Sequence, residues 1–594
     1  MHGYMGKILT VNLTKAVVSE ILIEPAIASS FIGGSGYAAR LLYDYLDSNV
    51  HPLAPENPLL FMTGPLTGTL APCTGRHVVC SRSPLTGQWG EANAGGHFGA
   101  KLKSSGFDGI LIVGRASSPK YLHLSEGACS IEDATNLWGK TTDIVQHELR
   151  DAISKAEFAV IGPAGENLVR FASIVNDERV AARCGMGTIM GSKNLKAIAV
   201  EGILRPSIHD EDSFRDLALS TAKELRKNQT TLSEQGTAMY VQRGMIANDM
   251  PVKYFQETEF DVDSIDGDAL RRLLTRRYAC HSCPIGCGRV ISLEEAGLDG
   301  IAGPEYQTIA AFGTNLKMSD LKEISVMNLL CNSLGMDTIS CGSMVAFATH
   351  LCELGRLDWN LEWNDPERTR SLIEDIAYRR GPGNELAEGS LRFASKYGVE
   401  NLALQVNGLE IPNHDPRAFV GLGLVYAVSA RGASHTEADM HTVDVGVDVP
   451  QLGIHASDRL ANAGKGVTVA KCQDFRAFHD SLIMCHFPEV PPDVLVKLLN
   501  YGTGSAFCTQ DILMVGSRIV NTKRLFNLRC GLKVENEKLP PPLLKPLDGS
   551  IPGGIVPDMS AMMNEYYQYR EWDVNTGKPS SNKLRELDLK MHGD

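Results

Sequence analysis

The chain has 594 residues, of which 43% are hydrophobic and 21% are charged. These values are typical of a globular protein and exclude a disordered chain, and the length predicts about three or four domains. The formal net charge is −13, and the acidic residues are scattered along the chain. This excludes a nucleic acid as the partner, because phosphate backbones are held by clustered Lys and Arg.

The N-terminal segment MHGYMGKILTVNLTK has no apolar run behind a basic start, so no signal peptide is expected. No stretch reaches the ~18 uninterrupted apolar residues that would cross a membrane. The 14 cysteines are too sparse for a disulfide scaffold. We therefore expect a cytoplasmic protein without a membrane span, whose thiols are buried, bound to metal or catalytic.

Residues 1–205 are predicted to form a β-rich domain. The segments GKILTVNL and AVVSEILI alternate as strands do, and DGILIVGRA and FAVIGPAG are short apolar runs that end at glycine. Four glycine-rich segments lie here: FIGGSGYAARLL, TGPLTGTLAPCTGR, NAGGHFGAKLK and RCGMGTIMGSKNLKAIAV. Loops of this kind allow the backbone to approach an anionic ligand closely, so we expect them to form a cradle.

Residues 206–405 and 406–594 are predicted to form two mainly helical domains. Apolar residues recur at spacings of three and four in SFRDLALSTAKELRKN, DALRRLLTRRYAC, LKEISVMNLLCNSLG and SLIEDIAYRRG. The predicted fold class is therefore α+β, with an N-terminal β-rich base domain followed by two mainly α-helical domains.

The segment YACHSCPIGCGRV places three cysteines, Cys280, Cys283 and Cys287, within eight positions. Structural zinc normally shows a second pair of ligands nearby, and this chain has none close in sequence. The compact spacing favours three corners of a [4Fe–4S] cluster whose fourth thiol comes from another part of the chain. A zinc site and a thiol redox pair are the alternatives.

Cys485 is the favoured fourth ligand, with Cys472 and Cys530 as alternatives that spacing does not exclude. It ends the hexapeptide DSLIMC (480–485), which is similar to NSLGMD (332–337). A matched pair of loops is one way to hold a two-part ligand, and a loop that ends in a cluster cysteine would connect the ligand to the cluster.

The sequence resembles the tungsten-containing aldehyde:ferredoxin oxidoreductases over essentially its whole length. The resemblance is carried first by GKILTVNLT, FIGGSGYAARLLYDYL, TGPLTGTLAPCTGR, GGHFGAKLKSSGFDGILIVGRA and GMGTIMGSKNLKAI. The cysteine triplet, GPEYQTIAAFGTN, NSLGMDTISCG, DPRAFVGLGLVYAVSARGASH and YYQYREWD follow in the same order. It implies a β-rich base beneath two helical domains, with the cofactor between them. The implied cofactor is tungsten, or molybdenum, held by two pyranopterins whose phosphates share Mg²⁺, with a [4Fe–4S] cluster beside one pterin.

The resemblance also implies roles for particular residues. The cluster ligands fall on Cys280, Cys283, Cys287 and Cys485. Residues expected to bind the pterins are Arg76, Asn93, Arg183, Asn332, Gly335, Asp337, Asp480 and Met484. The expected proton-transfer pair near the metal is Glu305 and His435, with His441 as the rival of His435. Glu305 lies in the nearly uncharged segment GPEYQTIAAFG, so we expect its carboxylate to be desolvated.

Two positions depart from the family pattern. Asn332 replaces an acidic residue, so it is neutral and both donates and accepts hydrogen bonds. Ile483 stands where glycine is usual, which leaves the backbone path of that loop open.

The expected activity is oxidation of aldehydes to carboxylic acids, with electrons passing through the cluster to ferredoxin or a ferredoxin-like subunit. The alternatives are a sister enzyme that reduces an aromatic acyl-CoA and, outside enzymes, a structural zinc-binding protein. The resemblance is compatible with a homodimer or a hetero-oligomer.

Overall fold

The computed structural model describes residues 1–547 and 555–591. Residues 548–554 and 592–594, which fall in the predicted domain 406–594, lie outside the described residues. Strands dominate the first 201 residues and helices dominate the rest. The fold is therefore α+β, as the sequence predicts, while the division at residues 205 and 405 stays a prediction.

The β-rich part contains two six-stranded sheets, one after the other along the chain. The first sheet has the order β2-β1-β6-β3-β4-β5, in which only β1 and β6 are parallel. Its strands are β1 (Lys7–Asn12), β2 (Val17–Leu22), β3 (Leu59–Met62), β4 (His77–Arg82), β5 (Trp89–Ala94) and β6 (Gly109–Val113).

The second sheet repeats this design with one parallel pair, β7 and β12, in the order β11-β10-β9-β12-β7-β8. Its strands are β7 (Lys120–Ser125), β8 (Ala128–Asp133), β9 (Glu157–Val160), β10 (Ile174–Asn176), β11 (Arg179–Ala181) and β12 (Leu195–Glu201). The helices of this part are α1 (Pro25–Phe31), α2 (Gly34–Tyr45), α3 (Phe98–Ser104), α4 (Thr142–Ala152), α5 (Pro163–Glu166) and α6 (Met186–Ser192).

Helices α7 to α16 follow, interrupted by a three-stranded antiparallel sheet. The helices are α7 (Glu211–Asn228), α8 (Thr230–Gln235), α9 (Tyr240–Ile246), α10 (Gly267–Arg272), α11 (Tyr306–Phe312), α12 (Leu321–Leu334), α13 (Thr338–Glu353), α14 (Pro366–Ala377), α15 (Gly381–Leu386) and α16 (Ser390–Tyr397). The sheet has the order β13 (Leu274–Tyr278), β14 (Gly288–Leu293) and β15 (Leu298–Ala302).

The last part begins with a short hairpin of β16 (Gln405–Val406) and β17 (Leu409–Glu410). Its helices are α17 (Val420–Val428), α18 (Met440–Asp444), α19 (Lys465–Leu482), α20 (Pro492–Thr503), α21 (Asp511–Arg529), α22 (Met559–Arg570) and α23 (Ser581–Glu586). Helix α19 packs against α21, α22 and α2 of the β-rich part, so it ties the C-terminal helices to the base. No helix among the described residues is both long and apolar enough to cross a bilayer.

The predicted elements are largely present. The four predicted strands are β1, β2, β6 and β9, and three of the four predicted helices are α7, α12 and α14. The prediction of one helix over DALRRLLTRRYAC is wrong beyond Arg272, where the chain continues as strand β13. Thr275 and Tyr278 favour a strand, and pairing with β14 outweighs the helical spacing of the apolar residues.

Candidate active site

A cavity of about 930 Å³ lies where the β-rich and helical parts meet. Seven of the sequence-predicted residues line it: Arg76, Asn93, Arg183, Glu305, Asn332, Asp337 and His435. The rival His441 lines it as well. The cavity thus receives side chains from all three segments of the chain.

The three clustered cysteines occupy the loop between β13 and β14, and Cys485 follows α19. The backbone of Cys73 joins the two regions: its N–H donates to the Ser282 carbonyl at 3.1 Å, and its carbonyl accepts from the Cys485 N–H at 2.9 Å. A Cβ atom on Gly95 would lie 2.7 Å from the Cys280 sulfur, so this turn approaches the cysteines as closely as glycine allows. Hydrogen bonds of the described residues thus tie Cys485 to the cysteine loop.

Of the alternative fourth ligands, Cys472 also lines the cavity, whereas Cys530 is outside its lining. Cys472 is buried within α19, several turns before Cys485, and Cys530 follows the end of α21. The Cys530 carbonyl accepts a long hydrogen bond from Arg82, at the far side of the first sheet.

Three of the four cysteine sulfurs have a side-chain donor beside them. Arg179 Nη2 lies 3.6 Å from the sulfur of Cys287, and Arg76 Nη1 lies 3.9 Å from that of Cys485. The thiol of Cys73 lies 3.9 Å from the Cys283 sulfur, and this contact lowers the pKa of Cys283 to about 6 despite its burial. At the other two sulfurs burial outweighs the arginine: it raises the pKa of Cys287 to about 12 and that of Cys485 above its ordinary value, and Arg179 and Arg76 only oppose these shifts.

The two hexapeptides form matching helix ends, which we call the first loop (332–337) and the second loop (480–485). Helix α12 ends at Leu334 and Gly335 follows in the left-handed conformation, at φ 78°. Helix α19 ends at Leu482 and Ile483 follows at φ 57°. The unusual Ile483 therefore takes the backbone path of its glycine counterpart, with its side chain fully buried.

A glycine of the base supports each loop. A Cβ on Gly162, just after β9, would lie 2.3 Å from the Leu334 carbonyl oxygen. A Cβ on Gly64, just after β3, would lie 2.4 Å from the Leu482 carbonyl oxygen. Each sheet therefore contacts one of the loops in the same way, through a glycine that packs against a leucine carbonyl.

The first loop ends in a helix cap. Asp337 is buried and accepts hydrogen bonds from the Ile339 N–H at 3.0 Å and the Ser340 hydroxyl at 2.8 Å, so it caps α13. Its carboxylate also lies 3.5 Å from Arg183 Nε. The carbonyl of Asn332 accepts from the Thr142 hydroxyl at 2.9 Å.

The second loop starts in a buried group of charges. Burial, followed by the neighbouring Glu91, raises the pKa of Asp480 to about 7, although Arg476, Arg431 and Lys523 oppose the shift. Glu91 itself accepts from Lys523 Nζ at 2.7 Å. Met484, near the end of this loop, is buried, and its N–H donates to the His479 carbonyl at 3.2 Å.

Arg76, Asn93 and Arg183 meet the cavity from the β-rich part. Asn93 Oδ1 accepts from Arg76 Nε at 2.5 Å, which directs the rest of the guanidinium towards Cys485. Arg183 Nη2 donates to the carbonyls of Glu410 and Ala433, at 2.7 and 3.3 Å.

Glu305 precedes α11 but does not cap it with its side chain. Its carboxylate lies 2.7 Å from Arg179 Nη1, accepts the Thr237 hydroxyl, and is 43% exposed towards the cavity. The apolar surroundings expected from the sequence are absent around this described side chain, because Arg179 comes from β11, distant in the chain.

His435 and His441 lie in one group of imidazoles at the cavity. The His414 ring lies 5.1 Å from that of His435 and 4.4 Å from that of His441. Burial lowers the pKa of His435 well below 6.5, and the neighbouring His414 lowers it further, so its imidazole is neutral at pH 7. Asp249, fully buried, lies 2.5 Å from His414 Nδ1 and 3.4 Å from His441 Nε2.

The sequence analysis missed Arg179, Cys73, Asp249 and His414. Cys73 lies within one of the glycine-rich segments, and Arg179 lies just before another. This proximity is the sequence signal that would have identified both as candidate site residues. His414 directly precedes the quoted motif DPRAFVGLGLVYAVSARGASH, whereas Asp249 carries no comparable local pattern.

Unpaired donors show what kind of ligand the cavity fits. Arg183 Nη1, Arg476 Nε and Nη1, and both ring nitrogens of His479 are buried without a hydrogen-bond partner among the described residues. Buried polar groups of native proteins are normally paired, so these atoms point to a ligand. Two arginines favour phosphate or carboxylate oxygens, and the cavity volume admits a large molecule.

Comparison with known proteins gives one consistent result. Residues 8–202 match the family model described as aldehyde ferredoxin oxidoreductase, N-terminal domain, and residues 216–589 match aldehyde ferredoxin oxidoreductase, domains 2 and 3. The chain is 38% identical to the tungsten-containing aldehyde ferredoxin oxidoreductase of Pyrococcus furiosus, and 38% identical to that of Thermococcus kodakarensis. Each alignment covers 99% of both chains.

Two further proteins are similar to this chain over nearly its full length, one in sequence and one in fold. The aliphatic sulfonate oxidoreductase, WOR-like subunit, of Pyrococcus furiosus is 30% identical over 99% of this chain and 97% of its own. The active-site complex BamBC of benzoyl coenzyme A reductase, solved with 1,5-dienoyl-CoA, superimposes with a TM-score of 0.86 over 99% of this chain and 97% of that one. Its sequence identity is 23%, so it shows a shared fold.

Proposed function

We propose that this chain, which belongs to the aldehyde ferredoxin oxidoreductase family, oxidises aldehydes to carboxylic acids and passes the electrons to ferredoxin or a ferredoxin-like subunit. The observation that carries the proposal is four cysteines tied to one wall of a cavity that contains unpaired cationic donors. A structural zinc site explains neither the cavity nor these donors.

The residues present fit the cofactors of the family. Cys280, Cys283, Cys287 and Cys485 would hold a [4Fe–4S] cluster. The first and second loops, Arg76, Asn93 and Arg183 would hold two pyranopterins that carry tungsten or molybdenum, with Mg²⁺ between the pterin phosphates. When bound, the metal centre would supply two-electron chemistry and the cluster one-electron transfer.

The chain's own residues would handle the protons. Conversion of an aldehyde and water to a carboxylic acid releases two protons and two electrons. The Glu305 carboxylate, held by Arg179 and Thr237, is an acceptor at the cavity. The neutral imidazole of His435 offers one nitrogen that accepts a proton and one that donates.

Electron transfer requires a partner. The described residues contain no second cluster of cysteines, and Cys280, Cys283 and Cys287 are half-buried rather than fully enclosed. A small one-electron carrier that docks over the β13–β14 loop would receive the electrons. We further propose a cytoplasmic enzyme that acts as a homodimer or with a tightly bound electron-transfer subunit.

Reduction of an aromatic acyl-CoA is the less supported alternative. It rests on the 23% identical benzoyl coenzyme A reductase complex, whereas the aldehyde reading rests on relatives at 38% identity over 99% of both chains.

Metal analysis of anaerobically purified protein tests the proposal. We expect about four Fe and about one W or Mo per chain, and reduction of ferredoxin or a viologen dye when aldehydes are added. Zinc in place of Fe, W and Mo would overturn it. Protein with the expected metals that turns over an aromatic acyl-CoA but no aldehyde would support the alternative function instead.

A further inference from the structure

Arg179 is the one described side chain whose ion pair and sulfur contact join the proposed proton acceptor to a proposed cluster ligand. Its Nη1 lies 2.7 Å from Glu305 Oε1, and its Nη2 lies 3.6 Å from the sulfur of Cys287. The two nitrogens belong to one planar guanidinium, so a charge change at either end acts on the other through a rigid group.

The surroundings hold Arg179 in this position. It lies at the start of β11, where it pairs with Asn176 of β10. Its guanidinium stacks 4.8 Å from the centre of the Tyr278 ring, and its side chain is 15% exposed. A Cβ on Gly95 would be 3.7 Å from Arg179 Cδ, so the adjoining glycine turn lies along the stem. The contacts are therefore features of a fixed side chain.

We propose that Arg179 is a positioning residue that sets the reduction potential of the cluster through the Cys287 sulfur and holds the Glu305 carboxylate at the cavity. This inference rests on the proposed function, because it assumes a cluster on the four cysteines. It adds a link between the electron exit and the proton acceptor, which the family assignment alone does not provide.

The direction of the effect follows from charge. A reduced cluster carries one more negative charge than an oxidised one, and a cationic donor at a ligand sulfur stabilises the reduced form and raises the potential. Removal of Arg179 should lower the potential. The Glu305 carboxylate neutralises the same guanidinium, so its removal should raise the potential.

The test compares the holoenzyme with the variants Arg179→Gln, Arg179→Lys and Glu305→Gln by EPR-monitored redox titration of the cluster. The matched control is Arg276→Gln: Arg276 lies on β13 near the same loop, but it is 58% exposed and pairs with Glu178 at 3.3 Å. Iron and tungsten are quantified in each sample, so that loss of a cofactor is separated from a shift.

We expect Arg179→Gln to shift the cluster potential negative and Glu305→Gln to shift it positive. A tenfold loss of preference for the reduced form corresponds to 59 mV for one electron. Arg179→Lys should recover part of the shift, because it keeps the charge and loses the second contact. Arg276→Gln should leave the cluster potential unchanged.

Potentials of Arg179→Gln and Glu305→Gln that equal the Arg276→Gln value, in enzyme with full metal content, would overturn the inference and leave the proposed function intact. If Arg179→Gln loses iron, the test relies on Arg179→Lys and Glu305→Gln, whose cluster potentials should shift in opposite directions. Equal cluster potentials in these two variants would overturn the inference. Wild-type protein that contains no Fe and neither W nor Mo would overturn the proposed function itself.

Discussion

The first and second loops share one backbone conformation but end in different residues. In both, a helix stops at leucine, a left-handed residue follows, and a glycine of the base contacts the leucine carbonyl. The first loop then finishes in Asp337, which caps another helix, whereas the second finishes in Cys485, beside the cysteine loop. The last residue therefore distinguishes a loop that ends by capping a helix from one that ends beside the cysteine loop, where we propose the cluster.

The loops also differ at their first residue. Asn332 is neutral, while Asp480 is half-buried near Glu91 and three cations. The shared backbone places both residues at equivalent helix ends, so the difference in charge is a difference between the two halves of the proposed cofactor site.

The largest expected effect comes from breaking the redox end of the second loop. Cys485→Ser should lower the iron content below four per chain and reduce kcat by more than the ~10–100-fold typical of losing a residue that only supports a ligand. The matched change in the first loop, Asp337→Ala, should keep the iron. Iron analysis and EPR of the two variants decide, and a full cluster in Cys485→Ser would contradict the assignment.

The second effect tests the shared backbone contact. Gly64→Ala and Gly162→Ala each place a methyl group within 2.4 Å of a carbonyl oxygen, and each should cost about 3 kcal/mol of unfolding free energy. Gly398→Ala is the control: it introduces left-handed strain at φ 64° but no contact, and should cost about 1 kcal/mol. Denaturant unfolding measures all three. Unequal costs for Gly64 and Gly162 would break the equivalence of the loops.

The smallest effect concerns the charge at the start of the second loop. The folded chain keeps the Asp480 proton up to about pH 7, whereas the unfolded chain loses it near the ordinary value of 3.8. Wild-type stability should therefore fall by a few kcal/mol, at most about 4, as pH rises from about 4 to 7. Asp480→Asn, which copies the first loop, should remove this fall.

Thermal unfolding at pH 5 and pH 8 measures the difference. The Tm of Asp480→Asn relative to wild type should be higher at pH 8 than at pH 5. The same relative Tm at both pH values would show that Asp480 is ionised in the folded chain.

Local pattern predicted most of the fold. Alternation along GKILTVNL and AVVSEILI sufficed for β1 and β2, and three- and four-residue spacing sufficed for α12, because each signal lies within the element itself. The helix prediction is wrong after Arg272 because β13 depends on pairing with β14, and the local spacing of apolar residues does not show this pairing.

The site divides in the same way. The cysteine triplet and the two hexapeptides are visible as short motifs, whereas the Arg179–Glu305 pair joins residues from β11 and the start of α11. At Ile483 the residue type argues against the conformation that the structure shows, because a β-branched residue rarely adopts a left-handed backbone. Burial of the Ile483 side chain and the contact of Gly64 with the preceding Leu482 stabilise this conformation. Contacts of this kind are set by the whole fold.

The contact between Gly64 and Leu482 also orders the events of biosynthesis. During translation the N-terminal region leaves the ribosome first and folds first, so the base exists before the second loop has been made. The cavity wall then closes only when α19 docks on that base. The cavity is therefore complete only after the C-terminal helices have been made, so a ligand that contacts both loops binds late in the folding of the chain.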